Sequence, residues 1–323
     1  MSHTVGRAEA FWIEEPGRGA IRPVELRAPG PDEVLVRAVA SGISRGTEAL
    51  VFRGGVPAAH AAEMRAPFQE GEFPGPVKYG YLGVGVVEEG ALRGRTVFCL
   101  HPHQTRYVVP AAMVAPVPED VPAGRAILAG TVETAVNALW DAAPLVGDRI
   151  AVVGAGMVGC AVAAVLTGFP GVRLELVDVD PARAAVAAAL GVPFRLPQEA
   201  TGGCDLVVHA SASEAGLARS LELLGQEGEV IELSWYGDRE IRVPLGAAFH
   251  PRRLAIRSSQ VGAVAPARRV RRSFADRLGL ALSLLADDRF DALIGGEVAF
   301  ADLPREMPRI TGEPSALCVR VTY

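Results

Sequence analysis

Three glycines, Gly154, Gly156 and Gly159, follow directly on the apolar run 150–153 and open a second apolar run. This G-x-G-x-x-G spacing constrains the fold more than any other feature. The first glycine permits a tight turn, the second lets backbone approach a diphosphate, and the third lets a helix pack on the preceding strand. The diphosphate then rests against the free N–H groups of the helix start, here Met157 and Val158. A second strand pattern, RLELVD, ends on Asp178 at about the 20-residue offset that such a site uses. A carboxylate there accepts hydrogen bonds from ribose hydroxyls and repels a 2′-phosphate, so the expected cofactor is NAD. Arg183 pulls the other way, because it could pair with a phosphate, although it could equally cap an adenine pocket. An α/β domain with no nucleotide and a flavin site are the alternatives. Ser211 and Ser234 fall in turns after later strands, where ligands cross an open α/β sheet, and are candidate nicotinamide-side contacts.

From residue 149 onward strands and helices alternate (RIAVVGAGMVGCAVAAVLTG, RLELVDVD, PARAAVAAALG, DLVVHA, EVIEL), the pattern of a parallel sheet covered on both faces. Before residue 118 the chain is short apolar runs broken by Gly and Pro, an all-β pattern. KYGYLGVGVVEE reads there as one strand, and 53–76 as a long excursion with a short helix. A helix over 124–143 joins the two patterns. With 323 residues the length suits about two domains. The expected division is 1–120 for the β module, 121–262 for the nucleotide domain and 263–323 for a segment that returns to the β module. Its last strand is expected over 316–322.

The net charge of −5 gives no global basic field for nucleic acid or anionic lipid. The local exception is Arg268, Arg269, Arg271, Arg272 and Arg277. With Phe274, Leu278, Leu282 and Leu285 they read as an amphipathic helix over 268–285, its arginines either solvated or facing an anion or substrate. The four cysteines are scattered with no CxxC pair, which fits a reducing cytoplasm. No signal peptide is legible in residues 1–22. The apolar stretch 150–170 is broken by glycines, so no membrane insertion is expected.

A β module, a helical hinge, a nucleotide domain and a returning tail, in that order, resemble the medium-chain dehydrogenase/reductase family over essentially the whole chain. ASGISRGTEAL, KYGYLGVGVVEEG, the hinge helix with Thr134, and VVGAGMVGCAVA followed by VDVD carry the resemblance. It implies a GroES-like β-rich catalytic domain, a Rossmann doubly wound parallel-sheet domain, and Thr134 among the cofactor contacts. Zinc members carry ligands where this chain has Ser44, Tyr81-Leu82 and a position near Gly130, and they carry a four-cysteine loop that is absent here. The resemblance therefore implies a zinc-independent member with no metal site. GISRGTE, MRAPFQEGEFPGPVKYGY, LHPHQ and SSQVGAVAPARR look most like the branch that includes the NAD-dependent hydroxyethyl bacteriochlorophyllide dehydrogenases.

Oxidation of an alcohol needs hydride transfer and loss of a hydroxyl proton, and without zinc a side chain must take the proton. The candidates are Ser44 as a substrate hydrogen-bond partner, Thr47 as a relay, Tyr79 or Tyr81, and His103 as a general base. Tyr79 and Tyr81 would share one strand face, with Lys78, the only lysine, on the other. His101-x-His103 could hold a metal but lacks a third ligand. The expected protein is a cytoplasmic, homodimeric or larger NAD-dependent dehydrogenase acting on a secondary alcohol in an interdomain cleft. The rivals are a carbonyl or enone reductase and a non-catalytic dinucleotide-binding scaffold.

Overall fold

A computed structural model describes residues 4–313 and 317–323. The chain forms two compact units, residues Met1–Gly130 with Ile294–Tyr323, and residues Thr131–Leu293.

In the first unit the long strand Glu33–Ile43 lies inside a seven-stranded sheet, between Gly83–Glu89 on one side and Cys318–Thr322 on the other. Alternate residues Val34, Val36 and Ala38 are buried with Val97, Tyr107 and Val109. A four-stranded sheet is built on the hairpin Thr4–Glu15 and Arg18–Arg27. The chain's last segment joins this unit for a legible reason. In the helix Leu303–Gly312, Leu303, Met307 and Ile310 recur at helical spacing and bury against Phe11, Phe52, Val77 and Tyr79. Of the strand expected over 316–322, Cys318–Thr322 is present, and Ala316 lies outside the described residues.

KYGYLGVGVVEE is not one strand. Val77–Lys78 pairs in the four-stranded sheet and Gly83–Glu89 in the seven-stranded one. The chain changes sheet at Gly80, whose φ of +134 is open to glycine and disfavoured for other residues.

The second unit is a six-stranded parallel sheet. Its spatial order is Phe194–Arg195, Arg173–Val177, Arg149–Val153, Cys204–His209, Leu224–Glu232 and Ala255–Ser258. Numbered within the unit, that is 3-2-1-4-5-6, the doubly wound order whose direction reverses between the strands Arg149–Val153 and Cys204–His209. The apolar stretch 150–170 resolves into strand, turn and the helix Met157–Leu166. Among the described residues no helix is long and apolar enough to cross a membrane.

The helix expected over 268–285 begins instead at Phe274. Ser273 Oγ accepts from the Asp276 N–H at 3.1 Å, and the Asp276 carboxylate accepts the Ser273 N–H at 2.8 Å, a reciprocal cap that starts the helix there. Residues 266–271 form turns ahead of it. This helix belongs to the second unit, so the chain re-enters the first at Ile294 rather than at 263. Arg277 explains why. Only 1% exposed, it donates to Glu133 Oε1 at 3.0 Å, Asn137 Oδ1 at 2.5 Å and the Val261 carbonyl at 2.5 Å. It thereby ties its helix to the helix Ala129–Ala142. Burial pushes the Glu133 carboxyl up, and Arg277 opposes the shift.

Removing one member of a buried ion pair leaves an uncompensated charge and costs about 3–5 kcal/mol. Arg277→Leu is expected to lower the unfolding free energy of this unit by that much in a urea titration. Adding Glu133→Leu should recover most of the loss, and a single-variant loss within about 0.5 kcal/mol would contradict the clamp.

Candidate functional site

In the second unit Gly154 and Gly159 have the tight-turn and close-packing geometry that their spacing implied. At Gly154, φ is +108, and a Cβ would lie 2.7 Å from the Ala210 carbonyl carbon and the Ser211 nitrogen. At Gly159 a Cβ would lie 1.8 Å from the Gly154 oxygen. Gly156, extended and capping the helix Met157–Leu166, faces open space. The cradle therefore has room at the glycine where backbone must approach a diphosphate, and none at the two that shape the turn. Asp178 stands at the end of the neighbouring strand. One carboxylate oxygen accepts the Ala155 N–H at 2.7 Å and the other the Asp180 N–H at 2.9 Å. These bonds aim the carboxylate and leave further lone pairs for hydroxyl donors. Arg183 is buried, with Nε 3.7 Å from Asp180. Met157 is buried, whereas Val158 and Thr134 are half-buried.

Ser211 and Ser234 belong to a network that the sequence did not disclose. His209 and Glu232 end adjacent parallel strands in register, and their side chains meet at 2.8 Å through Nδ1. His209 Nε2 lies 2.6 Å from Ser211 Oγ. Ser234 Oγ accepts the Ala212 N–H at 3.0 Å, and Tyr236 donates to Glu232 at 3.1 Å. Burial pushes the Glu232 carboxyl up, but hydrogen bonds from His209 and Ser234 outweigh it and hold the group below its ordinary range. The signal in the sequence was a polar residue closing each of two apolar runs, DLVVH and EVIE.

In the first unit Glu48 and His103 form a buried pair, 2% and 1% exposed, with His103 Nε2 2.9 Å from Glu48 Oε2. The other Glu48 oxygen accepts the Ser44 N–H at 2.8 Å. Ser44 caps the helix Arg45–Phe52, so a carboxylate in the first turn folds back onto the capping residue. His103 Nδ1 lies 2.7 Å from Ser41 Oγ, which lies 2.9 Å from the Tyr323 hydroxyl. With Glu48 ionised, counting donors assigns the protons. Nε2–H donates to Glu48, Ser41 O–H donates to Nδ1, and Tyr323 O–H donates to Ser41.

Gly130 lies against Leu82, and Tyr81 against Ser44 and Thr47. A Cβ on Gly130 would lie 2.7 Å from Leu82 Cδ2, and one on Gly42 would lie 3.2 Å from Leu82 Cδ1. Leu82 is fully buried there. Tyr81 is half-buried and receives hydrogen bonds from Ser44 and Thr47. Burial and the Glu48 carboxylate push its phenol up to about 12 against those two hydrogen bonds. Ser44, Thr47, Tyr81 and the Glu48–His103 pair are thus one cluster. Glu48, Ser41 and Tyr323 are the members that sequence reasoning missed, since nothing local marks Ser41 or Tyr323 as partners of residue 103.

One expectation changes. Tyr79 is core, packed with Phe73 and Val77, and its hydroxyl lies 3.3 Å from the Met64 carbonyl. Burial raises its phenol strongly, so it is not a base at neutral pH. Its ring does meet that of Tyr81 edge-on at 6.0 Å, but Gly80 breaks the strand between them. Lys78 is buried and turned to Glu70 and Gln104, with a 2.7 Å bond to Gln104 Oε1. His101 stacks on Tyr107 at 3.8 Å, and burial pushes it down to about 3, so it stays neutral. Among the described residues no three His, Cys, Asp or Glu side chains gather into a metal-holding group.

No protein-family profile matches the chain, and no curated protein sequence does. Solved structures do. L-idonate 5-dehydrogenase from Escherichia coli is 16% identical with a TM-score of 0.82, over 98% of this chain and 99% of that one. A short chain alcohol dehydrogenase from E. coli CFT073, complexed with NADH, is 16% identical with a TM-score of 0.78 over the same shares. An alcohol dehydrogenase zinc-binding domain protein from Burkholderia ambifaria is 18% identical with a TM-score of 0.75, again over those shares. The fold is that of the medium-chain alcohol dehydrogenases. It comprises a GroES-like and a Rossmann domain.

The glycine geometry separates binding from folding. Gly156→Ala should leave the unfolding midpoint unchanged yet weaken NADH binding, read by fluorescence titration, at least about tenfold. Gly159→Ala should lose stability as well. A Gly156→Ala protein that binds NADH like the parent would show that no diphosphate rests on this turn.

Proposed function

We propose that this protein is an NAD-linked, zinc-independent dehydrogenase that oxidises a secondary alcohol to a ketone. The observation that carries the reading is the cluster Ser44, Thr47 and Tyr81 on the Glu48–His103 pair, with Ser44 and Tyr81 where the sequence resemblance would set zinc ligands. Of these groups only the half-buried hydroxyls could meet a substrate. The cofactor part rests on Gly156, open toward a ligand at the N-terminus of a ten-residue helix, and on Asp178, whose charge favours ribose hydroxyls over a 2′-phosphate. Bound NAD would supply the hydride acceptor.

The residues would divide the remaining work. Tyr81 stays a neutral phenol because its shift favours the protonated form up to about 12. With Ser44 and Thr47 donating to its oxygen, its own O–H is directed to the alcohol oxygen, where it would steady developing negative charge. The alcohol proton would pass to the Thr47 oxygen as the Thr47 hydroxyl proton turns from Tyr81 to Glu48, the carboxylate whose charge already acts on Tyr81. His103 holds that carboxylate by its Nε2–H, and Ser41 with Tyr323 fixes the tautomer that makes this possible. Ser211, Ser234 and the His209–Glu232 pair would shape the nicotinamide side, and Thr134 and Arg183 would complete the proposed cofactor contacts. The sequence resemblance makes the hydroxyethyl group of a chlorin the substrate to try first.

NADH formation by the purified protein with NAD, a hydroxyethyl chlorin and simple secondary alcohols tests the reading. Glu48→Gln should lower kcat by about 10²–10⁴-fold while NADH binding is retained. Tyr81→Phe should lower kcat by a factor that does not vary with pH below about 12, because the phenol it removes does not ionise in that range. Wild-type kcat in Glu48→Gln would refute the proton acceptor. NADH binding without turnover of any alcohol would favour a scaffold.

A further inference from the structure

The arginine run that sequence reasoning left open stands apart from everything above. Arg268, Arg269, Arg271 and Arg272 are all exposed and lie in the turns ahead of the helix Phe274–Leu284. The turns are held by backbone bonds, Arg268 N–H to the Ala265 carbonyl at 2.8 Å and Arg272 N–H to the Arg268 carbonyl at 2.9 Å. Between the two pairs Val270 is 91% exposed, and Phe274 beside them is 54% exposed. Behind the turn lies a hollow of about 350 Å³ lined by Trp140, Arg268, Arg272, Asp276 and Leu280. The one carboxylate among these lining groups, Asp276, already accepts the N–H and hydroxyl of Ser273. Arg277, the fifth arginine of the run, is spent inside the unit. Four guanidinium groups in five residues thus surround an aliphatic tip on a protein whose net charge is −5.

We propose that this turn docks the protein peripherally on an anionic lipid surface. The guanidinium groups would meet lipid phosphates and carboxylates, and Val270 and Phe274 would enter the boundary between headgroups and acyl chains. The apolar tip decides between partners. A nucleic acid would satisfy the arginines but would leave Val270, which can neither stack nor hydrogen-bond, in water. The overall negative charge opposes the approach, so attachment depends on this patch and falls with salt.

Co-sedimentation of the full chain with vesicles of phosphatidylserine and phosphatidylcholine, against phosphatidylcholine alone, tests this. Binding is expected with the anionic vesicles only and should weaken as salt is raised. Arg269→Glu with Arg271→Glu should lower it by about 25-fold or more, since each basic residue near such a surface contributes roughly fivefold. Val270→Asp should weaken it several-fold while NADH binding stays unchanged in both variants. No binding to anionic vesicles, or Val270→Asp binding them like the parent, would overturn the proposal. So would duplex DNA binding more tightly than vesicles.

Discussion

The first unit is organised around one contact, the buried hydrogen bond between Glu48 and His103. A carboxylate so far from water is tolerable only if its oxygens are satisfied, and here His103 and the Ser44 backbone satisfy one each. The imidazole in turn needs a donor at Nδ1, which Ser41 on the long strand Glu33–Ile43 provides, backed by Tyr323 from the returning segment. The pair is therefore complete only when residues far apart in the chain have assembled. The ring also dictates backbone. A Cβ at Gly80 would lie 3.1 Å from His103 Cδ2, so a glycine passes there, and its positive φ turns the chain from one sheet into the other. Tyr79 is left in the core and Tyr81 beside Ser44 and Thr47 because of that turn.

The second unit obeys a different constraint, the close approach of backbone to backbone at Gly154 and Gly159. Those contacts set the helix Met157–Leu166 against its sheet and leave Gly156 as the open residue. Next to them the His209–Glu232 pair repeats the logic of the first unit, a buried imidazole fixed between a carboxylate and a hydroxyl. Both pairs hold neighbouring residues in place through connected hydrogen bonds.

Much of this was legible in the sequence, and the rest was hidden for identifiable reasons. Strand and helix alternation and the turn around Gly154 and Gly159 are legible because they are local signals with a single physical cause. The Leu303, Met307 and Ile310 stripe likewise belongs to a segment expected to return. The start of the helix at Phe274 was missed because arginines at helical spacing looked helical, while the reciprocal Ser273–Asp276 cap overrode them. The break at Gly80 was missed because alternation in KYGYLGVG suits a strand until the His103 ring is placed beside it. Lys78 was expected on the face away from the tyrosines, but its carboxylate, Glu70, became visible only once the short strands Glu70–Gly71 and Val77–Lys78 paired. Ser41 and Tyr323 carry no motif at all, and 282 positions separate them in the chain.

The central claim is that side chains, rather than a bound metal, manage the alcohol proton while a dinucleotide takes the hydride. The most direct measurement follows NADH formation from a secondary alcohol or hydroxyethyl chlorin before and after exhaustive dialysis against a chelator, with zinc content determined on the same samples. The account predicts an unchanged rate at negligible zinc. A rate that falls with the chelator and returns on adding zinc would contradict it.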